Sequence, residues 1–513
     1  MTASAKPPRV TRRQFIPSAA GVLAALGVGG AGGYQLRGGA SPAPTPEPEG
    51  FTTATIPAAG NPGSGVSSFV TRPDLRPADV RITELKAHGE KAEPRFIVMA
   101  PMADIPYKSN QRGPMIVDRR GRLVWFGRSD DSVFDVQVQT YKGQRVLTHW
   151  QGDLIGGYGA GVGKIIDQTY ATVATVGDAK TLPIDLHEFN LTSRGTALAT
   201  HYEQRPADLS SIGGAKNGQL LVGHALEIDV ETGKVLFDWS SIDHVGLAES
   251  YQPLPAAAGD AYDFFHINSI AEAPDGNLLI SGRNTWCVYK VNRTSGEVIW
   301  RLNGKRSDFP VPDDAGFSWQ HHVRPHGKTQ LTIMNNANIS GHSSLALLLD
   351  LDEPAKTVKL KRAFQHPAKF VAWTLGSVEV RPDGNVFVGW GAQPYFSEFS
   401  ADGELLVDGQ FNSETRSYRT FLADWNGRPT GKPAIVARSN QGSGFIVYAS
   451  WNGATDISHW TVYAGSGATF LEPVGSQPWT GFETTIVVNS DGPAFQVAAI
   501  DRHGNELGRS DVA

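Results

Sequence analysis

Three histidines recur at almost one phase of a repeating strand–turn–strand unit. The units run from Asp185 to Gly195, from His266 to Gly276 and from Gln320 to Thr329. Eight residues before the turn positions Gly195, Gly276 and Thr329 stand His187, Asn268 and His321, and His266 lies two before Asn268. Strand side chains alternate with a period of two, so a shift of two keeps the same face. Equivalent units around one axis would aim four nitrogen-bearing side chains at a common centre. Trp319 shares the face of His321, and Arg283, Asn335 and Asn336 end second strands near the same level. Imidazole can act as nucleophile, as general acid or base, or as a donor to an anionic oxygen. A guanidinium adds a planar fork for sulfate, phosphate or carboxylate oxygens. Three imidazoles with an open position also suit zinc or copper. Asn268 and Arg283 in the same cluster fit an oxyanion better than a cation, so no metal is expected. His322 alternates to the opposite face from His321 and is expected in the core or against an adjacent unit.

The elements that must position this cluster read as strands. Among 513 residues, 57 glycines, 32 prolines and 12 tryptophans favour many short strands joined by tight turns. Pro-Asp-Gly-Asn occurs at 274–277 and again at 382–385, each time before an apolar run. Turns of this type between apolar segments signal hairpins. A full unit can be written from His266: an inner strand, a second strand at 278–282, a third at 287–291 and an outer one at 298–302. The stretches 187–239 and 376–408 follow the same order. Four strands repeated at this spacing predict an all-β chain folded as a β-propeller of four-stranded blades. Inner strands are expected near Phe96, Phe134, His187, His266, His321, Gly376, Ile435 and Thr484, a count that favours seven or eight blades. Several β-sandwich domains are the alternative.

The N-terminus carries an address. Arg12 and Arg13 precede a weakly apolar, glycine-rich run from Pro17 to Gly33, the pattern of a twin-arginine export signal. Residues 1–40 are read as that signal or as a retained membrane tether, 41–68 as a disordered Pro/Gly/Ser-rich linker, and 69–513 as the propeller. Export through the twin-arginine machinery implies an extracellular, periplasmic or cell-surface location. The single cysteine, Cys287, excludes an intramolecular disulfide, and a net charge of −5 without a basic run argues against nucleic acid as a partner.

Several of these segments together resemble the arylsulfotransferase family, in particular its actinomycete and fungal branch. They are Asp185-Leu-His-Glu-Phe189, Asp263-Phe-Phe-His-Ile-Asn-Ser-Ile270, the run from Pro274 to Trp286, Trp319-Gln-His-His322 and Asn385-Val-Phe-Val-Gly-Trp-Gly391. The resemblance spans roughly Phe69 to Ala464. It implies a propeller of six blades, against the seven or eight counted from the repeats. It also implies sulfuryl transfer between small phenolic compounds, from an aryl sulfate and without a nucleotide sulfate donor, through a sulfohistidine and with no cofactor. His266 matches the family's His-x-Asn histidine, His321 that of Gln-His, and Arg283 the arginine ending a second strand. The chain departs from the pattern at Thr374-Leu-Gly-Ser-Val378, where the bacterial enzymes carry their nucleophilic histidine, and near Ser343 and Ser344, where an arginine is expected. Two further readings compete: a non-catalytic propeller that binds an anionic or aromatic ligand, and a quinoprotein-like propeller. The second is suggested by Thr232-Gly233 ahead of Trp239 and by Ser295-Gly296 ahead of Trp300.

Overall fold

A computed structural model describes residues 66–86, 96–103, 111–257, 259–337, 343–440 and 443–513. The export signal, most of the linker and His342 lie outside the described residues. No helix among the described residues is long and apolar enough to cross a membrane.

Six antiparallel sheets form a closed ring in which each packs against the next. In chain order, the inner strands of the first five are Ser132–Tyr141, Phe189–Leu191, Ile267–Glu272, His321–His326 and Ser377–Val380. Each is followed outward by its own second, third and fourth strands. The sixth sheet closes the ring from both ends of the propeller. Its inner strand, Thr415–Ala423, pairs with Phe96–Ala103, so that Ile97 faces Leu422. Met115–Asp118 and Leu123–Phe126 complete it. Arg81–Glu84 adds a fifth strand to the outside of the fifth sheet. Apolar layers between neighbouring sheets hold the ring. Phe264, Phe265, Ile267 and Tyr289 pack between the second and third, and Leu279, Val288, Val323 and Ile333 between the third and fourth.

Three sequence expectations change here. Among the described residues six sheets make up the ring, the number that the family resemblance implies. The start near Phe96 is the second strand of the closing blade, and the starts at Ile435 and Thr484 belong to a different body. Ala434–Ser439, Phe445–Ser450 and Glu483–Val488 form one sheet, and Phe470–Pro478, His459–Gly467, Ala494–Ile500 and Glu506–Arg509 form another. These two enclose their own core of Val447, Trp460, Val462, Ile486, Phe495 and Val497. The propeller therefore ends near Ala423 and does not extend to 513. Asp/Asn-Gly turns between apolar strands mark hairpins in either architecture, which is why the count ran on. The linker boundary also moves. Val66 already bridges Ala78, and Ser67 donates its N–H to the Pro77 carbonyl, so the packed chain starts before 69.

The axis of the ring is plugged by charge. Arg419, on the sixth inner strand, donates to Asp135 on the first at 2.8 Å and to Glu188 at the entry of the second at 2.8 Å. Glu188 also accepts from Arg324 on the fourth at 2.8 Å and from the Ile270 N–H of the third at 3.1 Å. Asp135 and Glu188 are 0% exposed. Burial pushes Asp135 up to about 6 against the pull of Arg419. For Glu188 the two guanidiniums outweigh burial and hold it below the ordinary carboxylate range. Removing one partner of a buried ion pair strands the other, at about 3–5 kcal/mol. Arg419→Met is expected to lose stability on that scale in denaturant unfolding, far more than Arg438→Met on the exposed edge of the C-terminal body.

Candidate functional site

The histidines collect at the N-terminal ends of the inner strands, beside the charged plug. His187 and His266 meet edge to face with ring centroids 5.0 Å apart. Tyr202 lies 6.1 Å from His187 and 6.0 Å from His266, centroid to centroid, and Tyr418 lies 5.9 Å from His187. Both tyrosines are tied down: Tyr202 donates to the Ile267 carbonyl and Tyr418 to the His187 carbonyl.

Two of the imidazoles are held by carboxylates. His187 Nδ1 is 2.6 Å from Asp185, which also accepts the N–H groups of Gly159 and His187 and the Thr200 hydroxyl. Burial raises Asp185, but the His187 ring and these donors outweigh it and hold the carboxyl below its ordinary value. His266 Nδ1 bonds Asp263, whose other oxygen accepts the His266 N–H at 3.0 Å. That double contact fixes His266 at φ +52°, a left-handed conformation rare for a residue with a Cβ.

His321 is held differently. Its Nδ1 faces the Trp319 carbonyl at 3.0 Å and Asn336 Oδ1 at 2.8 Å. The Asn336 amide nitrogen is committed to the Ala372 and Leu375 carbonyls. Two acceptors at Nδ1 place the proton there and leave a lone pair on Nε2. Burial, then Arg283 and His187, hold His321 well below the ordinary histidine range. Burial also lowers His266, against Asp263. Both rings are therefore neutral at neutral pH.

Arg283 supplies the positive charge. Its guanidinium lies 4.7 Å over the Trp319 ring, its Nη1 donates to Asn284 at 3.0 Å and its Nη2 to the Trp373 carbonyl at 3.3 Å. Its Nε is buried and makes no hydrogen bond. Burial draws its pKa down to about 10. No set of three or more His, Cys, Asp or Glu side chains among the described residues could hold a metal ion. The arrangement suits an anion beside Arg283 that is open to attack by an imidazole lone pair.

The structure brings together His187, His266, His321 and Arg283. Trp319 joins them as the plate under Arg283, and Asn336 as the partner of His321. Asn268 and Asn335 do other work. The Asn268 amide donates to the Gln320 carbonyl, while its Oδ1 is buried without a partner. Asn335 accepts the Ser318 and Ala337 N–H groups and so shapes the loop ahead of His321. The equal phase of His187 and Asn268 fails because the ladder slips between Ile267 and Ser269, making His266 the ring neighbour of His187. A bulge breaks strict alternation. His322 does turn away from the site, although the ladder slips between His321 and Arg324 and regular alternation is not what turns it. Asp185, met only as the start of a unit and of a motif, and Asp263, met only within a motif, are the main omissions. Their common signal is an Asp two or three residues before each histidine.

A family model described as Arylsulfotransferase (ASST) matches residues 137–412, which is more than half of the 513-residue chain. That span covers most of the first blade, the whole of the second to fourth and the four consecutive strands of the fifth. No curated protein matches the chain. Among solved structures, a Bacteroides caccae protein of unknown function aligns over 64% of this chain and 98% of its own, at 11% identity and a TM-score of 0.36. Virginiamycin B lyase from Staphylococcus aureus aligns over 72% and 96%, at 8% identity and a TM-score of 0.32.

A folded pKa depressed below the free value means that the unfolded imidazole binds protons first as pH falls. His266 and His321 therefore stabilise the fold above about pH 6.5 and progressively less below it. Nitrogen chemical shifts titrated by NMR are expected to place both midpoints below the ordinary histidine value, with His321 the later of the two to protonate as pH falls. Asn336→Asp, which sets a carboxylate against Nδ1, is expected to move the His321 midpoint upward.

Proposed function

The chain belongs to the arylsulfotransferase family, and we propose that it moves a sulfuryl group from an aryl sulfate to a phenol through a histidine. The observation that carries this reading is His321, fixed as the Nδ1–H tautomer with its Nε2 lone pair beside a buried, incompletely paired guanidinium. In the first half-reaction Nε2 of His321 attacks sulfur, the bond from sulfur to the aryl oxygen breaks, and the phenolate leaves with the electron pair. Arg283 holds the sulfuryl oxygens, whose charge is spread most widely in the transition state. In the second half the acceptor phenol oxygen attacks sulfur and the N–S electron pair returns to His321. The phenol's proton passes to Nε2 of His266, and Asp263 stabilises the imidazolium that forms. That proton is then returned to solvent, from which the phenolate released in the first half takes up one. A carboxylate partner suits the ring that gains a proton, and an amide partner suits the ring that must stay neutral to attack.

Incubation with 4-nitrophenyl sulfate is expected to add one sulfuryl mass at His321, seen by intact-mass and peptide analysis. His321→Ala should abolish both adduct and turnover. Asp263→Asn should retain the adduct and slow transfer to the acceptor by about 10²–10⁴. Absence of both adduct and transfer over a broad panel of donors and acceptors would overturn the reading. It would favour a non-catalytic binder of anionic aryl compounds, a role supported by Thr374-Leu375-Gly376, where the fifth blade offers no imidazole.

We also propose export by the twin-arginine route, from Arg12 and Arg13 ahead of the weakly apolar run. Residues 1–40 fused to a folded reporter should direct it out of the cytoplasm, and replacing both arginines by lysine should block that export.

A further inference from the structure

The chain has 12 tryptophans, all of them within the described residues, and every one but Trp373 is buried or half-buried. Trp373 is 49% exposed. It lies in the segment that leads into the fifth inner strand, and its carbonyl accepts from Nη2 of Arg283 at 3.3 Å. Carbonyl and indole hang from one Cα, so the open ring lies within a side chain's length of that guanidinium.

The backbone that carries Trp373 is anchored on both sides. The Val371 carbonyl accepts from Gln393 at 2.8 Å, and the Ala372 N–H donates to Ser344 at 2.7 Å. The Ala372 and Leu375 carbonyls accept from Asn336 at 2.7 and 3.0 Å, and the Thr374 carbonyl accepts the Ala392 N–H at 3.1 Å. Only the indole is left open. An aromatic side chain displayed on a fixed backbone loses little further freedom when a ligand settles on it.

The other aromatic side chains at this end are already engaged. Trp319 carries the Arg283 guanidinium on its ring. Tyr202 and Tyr418 lie against His187, and Tyr158 lies against Tyr202 with centroids 5.1 Å apart. Tyr251 stacks on Trp286 at 3.8 Å, and Lys305 sits over its ring. Among the described residues the indole of Trp373 meets no ring and no cation. A guanidinium beside an open indole recognises a ligand with an anion at one end and a flat ring at the other. Indole is itself two fused rings, so it covers a fused bicyclic partner more fully than a single ring or a puckered one.

We propose that Trp373 is the aryl-binding wall of the histidine site and selects planar, preferably fused-ring, aryl esters, a role that rests on the sulfuryl-transfer reading for the anion held at Arg283. Donor and acceptor occupy that place in turn, so one wall serves both.

Naphthalene-2-sulfonate is a suitable probe, because it joins the anion to a flat bicycle through a C–S bond that does not transfer. Cyclohexanesulfonate carries the same anion on a puckered ring. Calorimetry on the full-length protein is expected to show saturable binding of the naphthalene compound, tighter than the cyclohexane one by about tenfold. Trp373→Ala should remove most of that preference, and Trp373→Phe should keep part of it. In turnover of 2-naphthyl sulfate, Trp373→Ala should raise KM and leave kcat nearly unchanged, as loss of uniform binding does. Crystals of the unaltered protein soaked in naphthalene-2-sulfonate should show its ring on Trp373 and its sulfonate at Arg283, whatever the variants do. The proposal is overturned if naphthalene-2-sulfonate does not bind, if its ring lies elsewhere, or if Trp373→Ala leaves the preference intact. Equal weakening of both probes also overturns it, since that reports a disturbed site and not a lost stacking face. Transfer that proceeds with the preference intact in Trp373→Ala removes this wall and leaves the reaction standing. A preference lost in Trp373→Ala without any transfer supports the wall and removes the reaction.

Discussion

The guanidinium of Arg419 has no contact with water and faces two carboxylates that have none either. Such a group is tolerable only if its partners are held in place, and each partner comes from a different blade. Arg419 is on the strand that closes the ring, Asp135 is on the first inner strand, and Glu188 enters the second. Arg324 ties in the fourth through Glu188, and the Ile270 N–H ties in the third. A ring of sheets held by apolar layers alone could slide or open at its seam. The axial charges penalise such movement, because any blade that shifts leaves a buried ion unpaired. The sixth blade, assembled from two distant parts of the chain, most needs that penalty.

The same plug sets the floor of the histidine site. Glu188 follows His187 directly, so the bonds that fix the carboxylate fix the backbone beneath the imidazole. Tyr418, next to Arg419, donates to the His187 carbonyl, and its ring meets the His187 ring edge to face. Asp135 stands at φ +53° within a slip of its own ladder, and His322 at φ +50° within another. These bulges aim polar side chains along an axis that regular strands would line differently. His321 and His322 are sent to opposite ends of the channel for this reason.

Much of this was readable from the sequence, and the limits have physical causes. The four-strand order of the second, third and fifth blades followed from turn chemistry and apolar runs, which are local. His187, His266, His321 and Arg283 were found because they recur within such units. Blade number was not local. The Phe96–Ala103 strand pairs with Thr415–Ala423, more than three hundred residues away, and no hairpin signal records that pairing. The C-terminal sheets were counted as blades because their hairpins carry the same turns. Asn268 was misplaced by a bulge, which period-two reasoning cannot see. The axial plug escaped notice because its members are single charged residues on strands far apart in the chain.

The fifth blade has the same position on the axis but contributes no imidazole, and its geometry explains what it offers instead. Leu375 stands at φ +69° and Gly376 at φ +106°. A Cβ on Gly376 would lie 2.9 Å from both the Gly389 carbonyl oxygen and the Met334 side chain, so a side chain there requires the backbone to move. The turn that results directs the Ala372 and Leu375 carbonyls at the Asn336 amide. With its nitrogen engaged, Asn336 can present only oxygen to His321, and that choice fixes which ring nitrogen keeps its lone pair. Ser344, where the family pattern leads one to expect arginine, serves the same end by accepting the Ala372 N–H and donating to the Asn336 carbonyl. On the sulfuryl-transfer reading the two departures are one change. There the fifth blade, without an imidazole of its own, would act as the support that orients His321 for attack.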